Sequence, residues 1–127
     1  MSVLVDSSVW IDYFRDRGST ADILDLLIEE NLVIVNDLIL AELVPFLSIR
    51  KEKRLIALLQ NLERRPLIID WENIIHLQIV CLNNGISGIG IPDLIIAQNA
   101  IGCGSRLLSN DKHFGLISKH SSLELYH

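Results

Sequence analysis

Val3-Leu4-Val5-Asp6-Ser7-Ser8-Val9-Trp10-Ile11 begins with an apolar triplet, then places an acid and two hydroxyls directly behind it. A short, wholly apolar run reads as a strand buried on both faces, the kind found in parallel sheets covered by helices. Asp6 stands at the carboxyl end of that strand. In α/β folds, ligands bind in the crevice beyond the carboxyl ends of the strands. The plainer alternative is that Asp6 caps a helix starting at Ser7 or Ser8.

Further short apolar runs follow at Leu32–Val35, Leu67–Ile69, Arg106–Leu108 and Leu123–Tyr126, separated by longer stretches with helical spacing. Alternation of this kind predicts an α/β fold with a mostly parallel sheet. Ser19 with Asp22 resembles a capping box for a helix through Asp22–Glu30. Asp37 is expected to cap a helix from Leu38, which Pro45 should kink or end. Further helices are expected over Arg50–Arg64, over Trp71–Asn84 with Gly85 as its stop, from Pro92 to about Ile101, and over His113–Lys119. Gly85–Gly90 reads as a flexible loop.

The 127 residues fit one domain, residues 1–127, and half of them are apolar with few aromatics. A net charge of −5 argues against a protein that coats nucleic acid through a broad basic surface. It does not exclude an enzyme whose substrate phosphates are met by metal ions. The two cysteines, Cys81 and Cys103, form no CxxC pair, and the four histidines lack zinc-like spacing. Both thiols are expected in the core of a protein from a reducing compartment. The N-terminus lacks the basic and long apolar regions of a signal peptide, and no apolar run approaches the ~20 residues of a membrane span. A cytoplasmic protein without a membrane partner is expected.

Three more acids stand out beside Asp6. Glu42 has Leu38, Ile39, Pro45, Phe46 and Ile49 as its helical neighbours, and so interrupts a face expected to be buried. Asp93 sits in the first turn of the helix announced by Pro92, where the macrodipole favours a carboxylate by roughly 0.3–1 kcal/mol. Asp111 follows the run Arg106–Leu108 by three residues. Each has an ordinary alternative: an edge-of-stripe Glu, a dipole-stabilising Asp, a turn or cap Asp. Asp12, Asp16, Asp22, Asp25, Glu29 and Glu30 fit solvated helix faces. Converging carboxylates repel unless a hard divalent cation such as Mg²⁺ or Mn²⁺ lies among them. Such a site can hold one or two ions, orient a phosphate, generate hydroxide from water and stabilise a leaving oxygen.

These residues carry a resemblance. The opening Val3–Ile11, the segment Ile39-Leu40-Ala41-Glu42-Leu43, the segment Ile91-Pro92-Asp93-Leu94-Ile95-Ile96-Ala97 and the segment Leu107-Leu108-Ser109-Asn110-Asp111-Lys112-His113-Phe114 resemble, in order and spacing, the PIN-domain family. Within it they resemble the VapC-type toxins of bacterial toxin–antitoxin pairs. The resemblance covers essentially the whole chain. It implies a three-layer α/β/α fold with a mostly parallel five-stranded sheet in the order 3-2-1-4-5, flanked by helices. It implies that Asp6, Glu42, Asp93 and Asp111 are the catalytic, metal-binding acids, that Ser8 and Ser109 support them, and that one or two Mg²⁺ or Mn²⁺ ions bind. His113 stands where many members carry a further acid. The family implies RNA cleavage, a small antitoxin partner and a homodimer. Residues 50–65 carry six basic residues against two acids. Arg50, Lys51 and Arg54 there are candidates for contact with RNA phosphate or an acidic antitoxin segment.

Two other readings remain open from the residues alone. A phosphatase would use Asp6 as nucleophile, but it usually needs an acid two residues later, where Ser8 stands. The other is a non-catalytic binding module: a receiver-type module would need an acidic pair after the first strand, which is missing, and a PIN-like module serving only as scaffold would tend to lose acids, whereas all four are present.

Overall fold

The computed structural model describes residues 1–15 and 19–126, except the side chains of Ser19 and Thr20. Asp16 and the side-chain cap expected from Ser19 lie outside the described residues. Strand β1 (Val3–Val5) is wholly inaccessible, and a strand buried on both faces needs cover on both. Its parallel neighbours are β2 (Val33–Val35) and β4 (Arg106–Leu108), with Leu4 opposite Ile34 on one side and Leu107 on the other. The short edge strand β3 (Glu63–Arg64) pairs with β2, giving the order β3-β2-β1-β4. Helices α1 (Ser7–Phe14), α2 (Ser19–Glu29), α3 (Asp37–Ile49), α4 (Lys53–Asn61), α5 (Trp71–Asn83), α6 (Ile91–Gly102) and α7 (Lys112–Ser118) complete the chain and flank the sheet. This is the expected α/β fold.

Two strands differ from expectation. The third lies at Glu63–Arg64, before the apolar run Leu67–Ile69. Pro66 has no N–H to donate, so the ladder with β2 ends on the bond from Arg65 N to Val35 O, 2.8 Å. The run beyond leaves the sheet and exposes Ile68. The expected fifth strand is reduced to one parallel bridge, Leu107 to Leu125, on the outer side of β4. Among the described residues the sheet therefore has four strands, with a single rung in the fifth position.

Helix boundaries also shift. Pro45 does not end α3, which runs on to Ile49. Ala41, whose carbonyl loses its helical donor to the proline, is exposed, as is Pro45 itself. The cap of α3 is Asn36, whose side chain accepts from Ile39 N at 2.9 Å; Asp37 is the first helical residue. The expected helix over Arg50–Arg64 is shortened to α4 because Arg50-Lys51-Glu52 closes α3. Lys51 takes a left-handed φ of 58°, with Lys51 N bonded to Ser48 O and Glu52 N to Leu47 O. Helix α6 starts one residue earlier than expected, at Ile91, with Pro92 inside its first turn. Cys81 lies in the core as expected, whereas Cys103 is only half-buried, its Sγ 3.3 Å from Ser105 Oγ.

All four strands are parallel, so their carboxyl ends share one edge. Buried Asn36 ties that edge together. Its Nδ2 donates to Asn99 Oδ1 on α6 at 2.9 Å, and Asn99 Nδ2 donates to Pro66 O at 3.0 Å. Gln98 on α6 bonds in turn to Asp70 O and Asn73 Oδ1 around the start of α5. The helices that carry Glu42 and Asp93 are thus fixed to the strand ends.

Candidate metal centre

Asp6 occupies the N-cap position of α1, but its side chain makes no cap bond. Asp6 Oδ2 instead accepts from Ser8 Oγ at 2.8 Å and from Ser109 Oγ at 2.9 Å. The parallel register sets Val5 opposite Leu108, so Asp6 and Ser109 leave adjacent strands side by side. Asp6 is 5% exposed, and charge-assisted bonds of about 1.5–3 kcal/mol each help offset the burial of its charge. Ser8 Oγ also accepts from Asn110 N at 3.0 Å, and Ser109 Oγ from Asp111 N at 3.0 Å. Asn110 Nδ2 donates to Asp12 Oδ2 at 2.6 Å, so Asp12 anchors the loop after β4 from α1. The two serines connect Asp6 to that loop and fix its path toward Asp111.

Asp111 combines two roles that compete in the sequence. Its Oδ1 caps α7 by accepting from His113 N at 2.9 Å, while the carboxylate also faces Asp93 and His113. Asp93, in the first turn of α6, is held above the ordinary carboxylate range. Burial is the main cause, followed by repulsion from Asp111 and Asp6; His113 acts in the opposite direction.

Glu42 is also held above its usual range, by burial first and then by repulsion from Asp6 and Asp93, against a lowering contribution from the Ser7 hydroxyl. Its setting differs from the sequence expectation. The buried face of α3 is Ile39, Leu40, Leu43 and Leu47, whereas Pro45 and Ile49 are exposed. Glu42 therefore does not interrupt the buried face: it is exposed beside it, within reach of the charges of Asp6 and Asp93. Asp6, Glu42 and Asp111 all lie near enough to Asp93 to repel its charge, but of the four only Asp93 and Asp111 belong, among the described residues, to a group of three whose ligand atoms lie within 4.8 Å of one another.

His113 joins them, although sequence reading gave it no role. Ligand atoms of Asp93, Asp111 and His113 all lie within 4.8 Å of one another. His113 Nδ1 is 3.5 Å from Asp111 Oδ1 and 3.7 Å from Asp93 Oδ2, too far for hydrogen bonds. It is buried and has no hydrogen-bond partner. The available signal was its place two residues after Asp111, where the resemblance has an acid. An orphaned imidazole nitrogen among repelling carboxylates is a donor set that fits a divalent cation.

Most of the charged residues of the basic segment are exposed. Arg50 stacks over Phe46 with its guanidinium carbon 4.5 Å from the ring centre, and Lys51 and Arg54 are exposed on the α3–α4 hairpin. Arg64 and Arg65 pair with Asp37 and Glu63 at 3.2 Å and 3.1 Å.

The PIN domain model matches residues 3–119, most of the chain and every element from β1 to α7. The chain belongs to the PIN-domain family. No curated protein matches this PIN domain in sequence. Among solved structures it is similar to VapBC2 from Rickettsia felis bound to a DNA fragment from their promoter, at 22% identity and a TM-score of 0.76, over 99% of this chain and 98% of that one. It is similar to VapBC-1 from nontypeable Haemophilus influenzae at 20% identity and a TM-score of 0.71, over 99% and 97%. FitAcB from Neisseria gonorrhoeae matches at 19% identity and a TM-score of 0.70, over 98% and 96%. Identities this low establish the shared PIN fold.

Proposed function

We propose that this PIN domain is a metal-dependent endoribonuclease, the VapC-type toxin of a pair whose small antitoxin holds it inactive. The observation that carries the reading is the convergence of Asp6, Glu42, Asp93 and Asp111 at one edge of the sheet, with Glu42 and Asp93 held above their usual range by burial and by the neighbouring acids. Uncompensated repulsion of this kind weakens a fold unless a cation relieves it. Asp6, Glu42, Asp93 and Asp111 hold one or two Mg²⁺ or Mn²⁺ ions. When bound, the metal supplies water activation and charge neutralisation at a phosphodiester. Asp6 is aimed by Ser8 and Ser109, and Asp111 by its bond to the start of α7. No side chain is needed as a covalent nucleophile, and the Ser8 hydroxyl on Asp6 stands where a phosphatase would need an acid.

Arg50, Lys51 and Arg54 are the residues of choice for RNA phosphate or for acidic antitoxin side chains. Replacing all three with Ala should weaken RNA binding, flatten its salt dependence, or loosen the antitoxin. No change in any of the three would remove them from the account. The solved VapBC structures of the same fold support the antitoxin partner. Trp71, Ile75, Ile79 and Leu82, exposed at helical spacing along α5, support a homodimer through that face.

The test is the chemistry of the RNA ends. Attack by water leaves products without a 2′,3′-cyclic phosphate, formed only with Mg²⁺ or Mn²⁺. Cyclic ends, or cutting undiminished by EDTA, would mean that the RNA's own 2′-hydroxyl attacks, and would overturn the reading.

A further inference from the structure

Of the buried side-chain nitrogens and oxygens among the described residues, only Trp10 Nε1, Arg65 Nε and His113 Nδ1 lack a hydrogen-bond partner. Only His113 Nδ1 faces two carboxylates. Its separations from Asp111 Oδ1 and Asp93 Oδ2, 3.5 Å and 3.7 Å, are too long for direct bonds. They fall within the ~3–4.2 Å that separates two ligands of one octahedral ion with ~2.1 Å bonds. His113 N donates to Asp111 Oδ1 at 2.9 Å, which holds the backbone of His113 beside that carboxylate. The three side chains are only partly covered, at 26% exposure for Asp93, 30% for His113 and 36% for Asp111, which leaves room for waters to complete a coordination shell.

We propose that His113 is a metal ligand through Nδ1, completing a set with Asp93 and Asp111 that prefers Mn²⁺ over Mg²⁺. The proposal rests on the metal-dependent reading above and adds the ligand that decides which ion is held. Coordination uses the Nδ1 lone pair, with the ring proton at Nε2. Imidazole nitrogen is a borderline donor, well matched to transition ions. Mg²⁺ is hard, selects oxygen and gives up its waters reluctantly. A histidine in place of a further acid therefore shifts selectivity as well as charge.

The test is Mn²⁺ binding, read without catalysis, in the full chain and in His113→Ala and His113→Asp. Electron spin-echo modulation of bound Mn²⁺ should show a directly coordinated nitrogen in the unaltered protein and none in either variant. Mn²⁺ affinity should fall about tenfold or more in His113→Ala. In His113→Asp the ratio of Mn²⁺ to Mg²⁺ affinity should fall, because an oxygen replaces the nitrogen. Circular dichroism establishes that the variants are folded, and the capping donor at residue 113 belongs to the backbone and survives both changes. Mn²⁺ bound without nitrogen coupling, or held as tightly by His113→Ala, would overturn the proposal while leaving the carboxylate site intact. It would mean that the carboxylates hold the ion without His113. No Mn²⁺ or Mg²⁺ binding by the unaltered protein would overturn the metal-dependent reading as well.

Discussion

Asp6 is defined by the hydroxyls that surround it. Ser109 donates to Asp6 and accepts from Asp111 N, so Ser109→Ala breaks a link between two site acids. Metal affinity should fall about tenfold in calorimetric titration, and Ser109→Thr, which keeps the hydroxyl, should restore most of it. Glu42 and Asp93 set the pH behaviour. Both hold protons more tightly than free carboxyls, so at these two sites the folded state binds more protons than the unfolded one. The metal-free protein should therefore lose stability as pH rises from the ordinary carboxylate range through the raised values of these acids. Metal competes with those protons, so its affinity should climb over the same interval. Thermal melts across that range, with EDTA and with Mn²⁺, check both slopes. The same physics predicts that Asp93→Asn melts no lower than the unaltered protein in EDTA, although it loses metal. The strand-end acids could be read from sequence because an acid directly behind an apolar triplet is local information. Two features were hidden there: the true face of Glu42, because a helix with apolar residues all round does not say which of them is buried, and the approach of His113 to Asp93, because those two meet only through the fold of α6 onto α7.

Among the described residues, four helix ends close in the same way, with a left-handed residue at Asn31, Lys51, Gly85 or Gly104 and paired backbone bonds back into the last turn. Of these only Gly85 was read in advance as a stop; glycine advertises this conformation, at Gly104 as at Gly85, whereas lysine does not. That is why the turn at Arg50-Lys51-Glu52 passed for continuous helix. At Gly85 a Cβ would meet nothing within 4 Å, so Gly85→Ala should cost about 1–2 kcal/mol from backbone strain alone. Chemical denaturation measures it, and a neutral result would mean that the turn readjusts. The edge strand β3 escaped prediction for a related reason. Its residues, Glu63 and Arg64, are charged and exposed, and belong to the sheet only through backbone pairing with β2. Charged, short edges discourage pairing between molecules, so hydrophobic pattern points to the wrong segment, Leu67–Ile69.

The alternation of apolar runs and helical stretches was enough to give the class of fold, because a parallel sheet obliges each strand to be followed by a covering helix. That arrangement gathers the strand ends, and with them the acids, at one edge. The α5 stripe belongs to the same level of organisation. If two copies meet there, Ile75→Glu with Ile79→Glu should turn a dimer into a monomer in sedimentation, leaving metal binding unchanged; a dimer that survives would place the interface elsewhere. The central claim is that the gathered carboxylates make a metal-dependent ribonuclease. Its most direct test is the purified, antitoxin-free protein, stripped with EDTA and mixed with total bacterial RNA, with and without Mn²⁺ or Mg²⁺ restored, beside Asp93→Asn. The account predicts discrete products that need metal and are reduced about a hundredfold or more in the variant. Equal cleavage by folded Asp93→Asn, or none by the metal-replete protein, would contradict it.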